Sequence, residues 1–223
     1  FTLTVEQNPQ INIPDPLFVC DDDFDGLQTF DLSGVDTNII GTQTDMTVSY
    51  YTNQNDADSA TNPIGTTFDT TIPNAQTLIF RIESLITGCY STAALELIVN
   101  PIPIIPSLDD FVTCDDNIET DNDISNDSVE FDLQTQNILI LDGLDPAIFE
   151  VSYHETQNDA QQGINPLPLS FTNTANPQTI FTRVENTITN CFNTPPLVLT
   201  INPLPFVSLE EDYLFGQMPM EMF

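Results

Sequence analysis

The chain has 223 residues, with 34 acidic side chains against two arginines, no lysine and one histidine, a formal net charge of −32 at pH 7. Such a surface repels phosphate backbones and anionic bilayers, which excludes nucleic-acid binding. High charge is also a mark of disorder, but a 40% hydrophobic content set in alternating runs argues for folded β structure.

In chain order, the opening FTLTVEQNP (1–9) resembles two later segments, LELIVNP (95–101) and LVLTINP (197–203), and is expected to be the last strand of a preceding repeat. Between these endings the chain repeats itself. VSYYTNQNDA (48–57) returns as VSYHETQNDA (151–160), and QTLIFRIES (76–84) as QTIFTRVEN (178–186). The offset of Tyr50 to Tyr153, Arg81 to Arg183 and Cys89 to Cys191 is 102 or 103 positions. A period this long is a whole small domain, able to bury its own core. The expected domains are repeat 1 at 10–101, repeat 2 at 102–203 and the start of a further repeat at 204–223, where Gly216 stands at the position of a first cysteine. The chain therefore reads as a window on a longer array. No leader is visible, and no apolar run reaches the ~20 residues of a membrane span.

Within a repeat the pattern is β. Met46, Val48 and Tyr50 alternate with Thr47, Ser49 and Tyr51; Leu78, Phe80 and Ile82 with Ile79, Arg81 and Glu83; Leu95, Leu97 and Val99 with Glu96 and Ile98. Turn clusters DDDFDG, TNQNDADSATNPIG and TTIPNAQ separate these runs. DLQTQNILIL (132–141) is the nearest approach to a helix. About seven strands per ~100 residues fits a two-sheet sandwich. The expected fold class is all-β: tandem immunoglobulin-like β-sandwich domains. Each repeat ends in Asn-Pro with further prolines (NPQINIP, NPIPIIP, NPLPF), which makes stiff junctions, so the domains are expected to form a rod.

The cysteines fall two per repeat, and four cysteines allow three connectivities. The repeat favours Cys20–Cys89 and Cys114–Cys191, each domain closing its own loop, with four free thiols as the alternative. Paired cysteines place the chain in an oxidising, extracytoplasmic setting.

DDDFDG puts Asp21, Asp23 and Asp25 at positions one, three and five and Gly26 at six, the start of a calcium loop in which alternate oxygens converge on one ion. Position twelve is Leu32, not glutamate, and no helix flanks the loop; Asp31 is a candidate late ligand. The second repeat offers Asp115, Asn117, Glu119, Asp121 and Asp123. Ca2+ is the cofactor expected at these loops, and bare solvated turns are the alternative. Arg81 and Arg183 stand at equivalent positions with Glu83 and Glu185 two residues on, a pattern for one structural ion pair per domain, with an arginine that binds a carboxylate or sulfate ligand as the alternative. His154 replaces Tyr51 and reads as a surface residue. Phe18, Phe24, Phe30, Phe68 and Phe80 read mostly as core, and one of the adjacent Tyr50 and Tyr51 is expected to point outward. No nucleophile elbow, histidine metal cluster or phosphate loop occurs, so an enzyme is not expected.

The order C-D-x-x-x-D-G, F-D-L, V-S-Y-Y, Q-x-x-F-x-R-x-E, G-C, L-x-L-x-V-N-P resembles the repeats of SprB-like gliding-motility adhesins, very large type IX-secreted surface proteins of Bacteroidota. The match lies in PLFVCDDDFDGLQTFDL (16–32), VSYYTNQNDA, QTLIFRIESLITGC (76–89), LELIVNP and their second copies. The second acidic loop departs from it by lacking the D-G turn. The resemblance implies an outer-membrane-associated cell-surface protein whose partners are neighbouring repeats, an extracellular surface or polysaccharide, and the secretion and gliding machinery. It also implies O-glycosylation at Ser59, Thr70 and Ser128, each in an Asp-Ser/Thr motif. The expected function is a stalk segment of a surface adhesin or filament. The alternative is a glycan-binding accessory module of a secreted polysaccharide-degrading enzyme, for which an aromatic-lined pocket in one repeat would speak.

Overall fold

A computed structural model describes residues 5–115 and 127–203. In repeat 1, strand β1 (Leu17–Cys20) is followed by β2 (Thr29–Asp31), helix α1 (Val35–Ile40), β3 (Met46–Tyr51), helix α2 (Gln54–Ser59), β4 (Thr67–Asp69), β5 (Ala75–Ser84) and β6 (Tyr90–Asn100). One sheet has the order β1-β6-β5-β3, and a two-stranded ribbon pairs β2 with β4. The apolar sides of the two meet in a core that includes Phe30, Leu32, Leu78, Phe80, Ile82, Leu95 and Leu97. Each such side chain, fully buried, contributes roughly 1.5–3 kcal/mol of transfer free energy.

Repeat 2 follows the same plan with β7 (Phe111–Cys114), β8 (Glu130–Asp132), a 3-10 turn (Leu133–Gln136) running into α3 (Asn137–Leu141), β9 (Phe149–His154), α4 (Gln157–Gln162), β10 (Ser170–Thr172), β11 (Gln178–Asn186), β12 (Phe192–Asn193) and β13 (Pro196–Asn202). Strands β12 and β13 are the two halves of the β6 equivalent, both paired with β11. Strands β8 and β10 form the ribbon, and an edge-to-face contact of Phe111 and Phe131 at 5.1 Å ties it to β7. The second core, around Phe131, Leu133, Tyr153, Ile180 and Leu197, is separate from the first. Strand pairing also stays within each repeat. The chain is all-β in class, with two tandem domains.

A parallel strand pair decides the positions of the cysteines. Strand β1 lies parallel to β6, with Cys20 opposite Asn100, and β7 lies parallel to β13, with Cys114 opposite Asn202. The first cysteine of each repeat therefore sits at the end where the chain leaves that repeat.

Three expectations from sequence need correction. Short helices α2 and α4 occupy segments expected to be loops. They begin with side-chain caps, Asn53 accepting from the Asp56 amide and Thr156 from the Asp159 amide. Because α2 and α4 lie over the second face of the sheet, neither adjacent tyrosine points outward: Tyr50 and Tyr51 are both buried. His154, expected at the surface, is only 1% exposed, with one ring nitrogen 2.8 Å from the Ile164 carbonyl and the other 2.9 Å from Ser152 Oγ. In the aromatic set Phe30 and Phe80 are core, whereas Phe18 and Phe24 are exposed.

Candidate functional site

The disulfide joins Cys20 to Cys191, across the two repeats, with the Cα atoms 5.5 Å apart. Cys89 and Cys114 are free thiols. This corrects the expected Cys20–Cys89 and Cys114–Cys191 pairs, and the reason is the parallel strand. Cys20 lies beside Asn100 at the end of β6, whereas Cys89 directly precedes the first residue of that 11-residue strand. At about 3.3 Å per residue the two cysteines stand on the order of 30 Å apart, far beyond the few ångströms between Cα atoms that a disulfide spans. The same distance separates Cys114, beside Asn202, from Cys191, next to Phe192.

The two cysteine positions are built alike in both repeats. The late cysteine ends a tight turn in which Ser84 N–H donates to the Cys89 carbonyl and Gly88 N–H to the Ser84 carbonyl. Asn186, Asn190 and Cys191 repeat these bonds. The entering linker docks beside this turn: Ser91 Oγ donates to the Pro9 carbonyl at 2.8 Å, and Asn193 Nδ2 to the Pro103 carbonyl at 3.1 Å. The linker that leaves repeat 1 thus passes the turn that carries Cys191, and the bridge returns from that turn to Cys20.

The acidic turn follows Cys20 directly. Asp21 is 7% exposed and accepts from the amides of Asp23 and Gly26. Asp23 accepts from the Asp25 amide, and Asp25 from the Leu27 amide. One ligand oxygen from each of Asp21, Asp23 and Asp25 lies within 4.8 Å of the others. Gly26 has φ +74°, and a Cβ there would meet Asn74 Oδ1 at 3.0 Å and Pro73 Cβ at 3.1 Å, so only glycine closes this turn. The Asp25 amide bond lowers the Asp23 carboxyl pKa, but desolvation and the charges of Asp25 and Asp22 outweigh it and leave the group above its ordinary value. Asp31 stands outside this group. Its carboxylate accepts from the Ser33 amide, and hydrogen bonding by Ser33 lowers its pKa. Asp115, the Asp21 counterpart, is 3% exposed, and its Oδ1 has no hydrogen-bond partner among the described residues. Asn117, Glu119, Asp121 and Asp123 lie outside the described residues.

Each arginine is held by three kinds of partner. Arg81 pairs with Glu83 at 2.8 Å, donates to the Ala57 and Asp58 carbonyls at the end of α2, and lies over the Tyr90 ring. Arg183 does the same with Glu185, the Ala160 and Gln161 carbonyls of α4, and Phe192. A guanidinium so occupied has little left to offer a ligand. Among the glycosylation candidates Ser59 is exposed at the end of α2. Thr70 is buried, with its hydroxyl bonded to Gln28, and leaves no room for a sugar there, contrary to expectation.

A cleft of about 560 Å³ in repeat 2 is lined by Ile138, Leu141, Leu144, Pro146 and Val151, with Phe149 as its one aromatic ring. No described helix is long and apolar enough to cross a membrane.

The family model described as "Flavobacterium inter-domain disulphide bond domain" matches twice, at residues 16–103 and 110–205. No curated protein matches the sequence. Among solved structures, the cadherin-like domains 1 to 4 of zebrafish RET are similar at 11% identity over 87% of this chain and 49% of that chain. The TM-score of 0.25 is too low to carry an argument.

Proposed function

The chain belongs to the Flavobacterium inter-domain disulphide bond domain family, and from that premise we propose that it is a stalk segment of a cell-surface adhesin or filament, whose role is mechanical. The observation that carries the proposal is the Cys20–Cys191 bond between two domains with separate cores. A bond inside a domain stabilises that domain; a bond between domains fixes their relative placement and makes a stiffer array. Proline junctions act in the same direction. The disulfide fits an extracellular location, and the acidic surface keeps neighbouring filaments apart. Outer-membrane attachment, adhesion and a part in gliding follow from the resemblance to SprB-like repeats. The proposed cofactor is Ca2+ at Asp21, Asp23 and Asp25, where a cation would offset the repulsion of the clustered carboxylates.

The glycan-module alternative is not favoured. Sugar stacking uses exposed aromatic faces, and the repeat 2 cleft offers Phe149 alone. Antibodies against this fragment should label intact, unpermeabilised cells of the source bacterium. Labelling only after permeabilisation would overturn surface display.

A further inference from the structure

Helix α3 stands in repeat 2 where α1 stands in repeat 1. Tyr50 Oη donates to Asp36 Oδ1 of α1 at 2.6 Å, and Tyr153 Oη to Asn137 Oδ1 of α3 at 2.7 Å. Counted from these pairs, Ile39 matches Ile140, and both are buried. The two residues in between differ in kind. α1 exposes Thr37 and Asn38, whereas α3 exposes Ile138 at 80% and Leu139 at 65%. Each of these aliphatic side chains borders a hollow. Ile138 lines the 560 Å³ cleft together with Leu144 and Val151. Leu139 lines a second cleft of about 520 Å³ together with Leu108 and Leu197. Glu150 stands at the first cleft and Asp109, Asp110 and Asp142 at the second, all four exposed. Both arginines of the chain are held in ion pairs and line neither cleft.

We propose that α3 and its two clefts are a docking surface for another protein, which presents a polypeptide segment of aliphatic side chains flanked by lysine or arginine. Two adjacent large aliphatic side chains left in water, with an apolar hollow on either side, form a patch of the kind that marks an interaction site. The carboxylates around the patch select the sign of the partner's charge. A second copy of this chain carries a formal charge of −32 and has no unpaired arginine to offer, so it meets like charge here. The segment 204–223 holds Glu210, Glu211, Asp212 and Glu221 and no basic residue, and is disfavoured in the same way. Repeat 1 is in place and leaves Ile138 and Leu139 exposed. A repeat following Asn202 would stand at the far end, because α3 shares its second cleft with the entering linker at residues 106–110. The aliphatic anchors supply affinity through burial, and the carboxylates orient the partner and speed its encounter. The inference goes beyond the stalk reading, and neither surface display nor calcium enters it.

The test uses three labelled synthetic peptides and fluorescence anisotropy on the whole fragment. The first is an amphipathic leucine–lysine peptide, the second has serine for every leucine, and the third has glutamate for every lysine. The leucine–lysine peptide should bind most tightly, since the serine peptide has only its charge and the glutamate peptide only its apolar face. Ile138→Thr with Leu139→Asn gives α3 the residues that α1 carries. This double substitution should weaken the leucine–lysine peptide by roughly tenfold or more and bring it level with the serine peptide. Asp109→Asn with Asp110→Asn should also weaken it and reduce its sensitivity to salt. This second variant stands on its own should circular dichroism show that the first does not fold. Equal binding of the leucine–lysine peptide to the native fragment and to both variants would overturn the proposal, as would tighter binding of the glutamate peptide. A fragment that sediments as a dimer, and as a monomer once Ile138 and Leu139 are replaced, would assign the surface to a second copy and overturn the basic partner. None of these outcomes bears on surface display, which antibody labelling decides.

Discussion

The guanidinium of Arg81 lies 3.4 Å from the centre of the Tyr90 ring, and Arg183 lies 3.5 Å from that of Phe192. Each arginine thereby joins the end of a short helix, a glutamate and the aromatic residue at the start of the neighbouring strand. Charge alone does not make this arrangement; the planar fork and flat face of arginine do.

Arg183→Ala is expected to destabilise repeat 2 by about 2–3 kcal/mol, less than breaking a fully buried pair costs because Glu185 is partly exposed. Arg183→Lys should recover less than half of this. Differential scanning calorimetry should show the repeat 2 transition move while that of repeat 1 stays. A shift of less than a degree for Arg183→Ala would mean that the cluster is incidental.

Reduction of Cys20–Cys191 should loosen the pair of domains without unfolding either, because each has its own core. Small-angle scattering of the oxidised fragment should give an elongated profile, and the reduced fragment a broader distance distribution. Far-UV circular dichroism should not change. A compact profile for the oxidised form, or loss of the β signal on reduction, would contradict this.

Calcium should raise the melting temperature of repeat 1. Binding to the folded state alone adds RT ln(1 + [L]/Kd), about 2.7 kcal/mol at a hundredfold excess over Kd. Asp23→Ala should abolish the response, since Asp23 is exposed and free of any other structural task than the Asp25 amide. Asp21→Ala should lower stability with or without calcium, because buried Asp21 holds the turn through Gly26. Equal melting temperatures in calcium and in chelator at low ionic strength would leave only a solvated turn.

Asp56 accepts hydrogen bonds from Asn53, Asn62 and Thr61, and these hold its carboxyl below its ordinary value of 3.8. A carboxyl with a lowered folded-state pKa stabilises the protein above its unfolded pKa, and the contribution is lost as pH falls through the folded value. Asp56→Asn should therefore lower the melting temperature of repeat 1 at pH 7 by a few degrees, and by less at an acid pH where the folded-state carboxyl is protonated. An equal loss at both pH values would show that its charge is not what matters.

The alternation in 46–51, 78–82 and 95–99 located β3, β5 and β6, because period two is a local signal. The equal spacing of Arg81 and Glu83 to Arg183 and Glu185 located both ion pairs. The partner of Cys20 was not legible. It depends on whether β1 runs parallel or antiparallel to β6, and alternation is the same in either direction. Helices α2 and α4 are too short for a hydrophobic period. Their only signals were Asn53 three residues before Asp56 and Thr156 three before Asp159, a spacing that marks a helix start. Alternation alone leaves the second face of the sheet open to solvent; α2 and α4 cover it, and Tyr51 and His154 are buried beneath them.

The placement of Cys20 beside Asn100 also bears on damage. Residues 101–110 form the backbone connection between the domains, and they lie outside any strand. A cut there separates the backbone into two pieces, yet Cys20 lies before the cut and Cys191 after it. The pieces stay tethered, and neither core is opened. A severed linker thus leaves the two domains joined: the backbone and the sulfur bond run side by side, and losing either one alone does not part them.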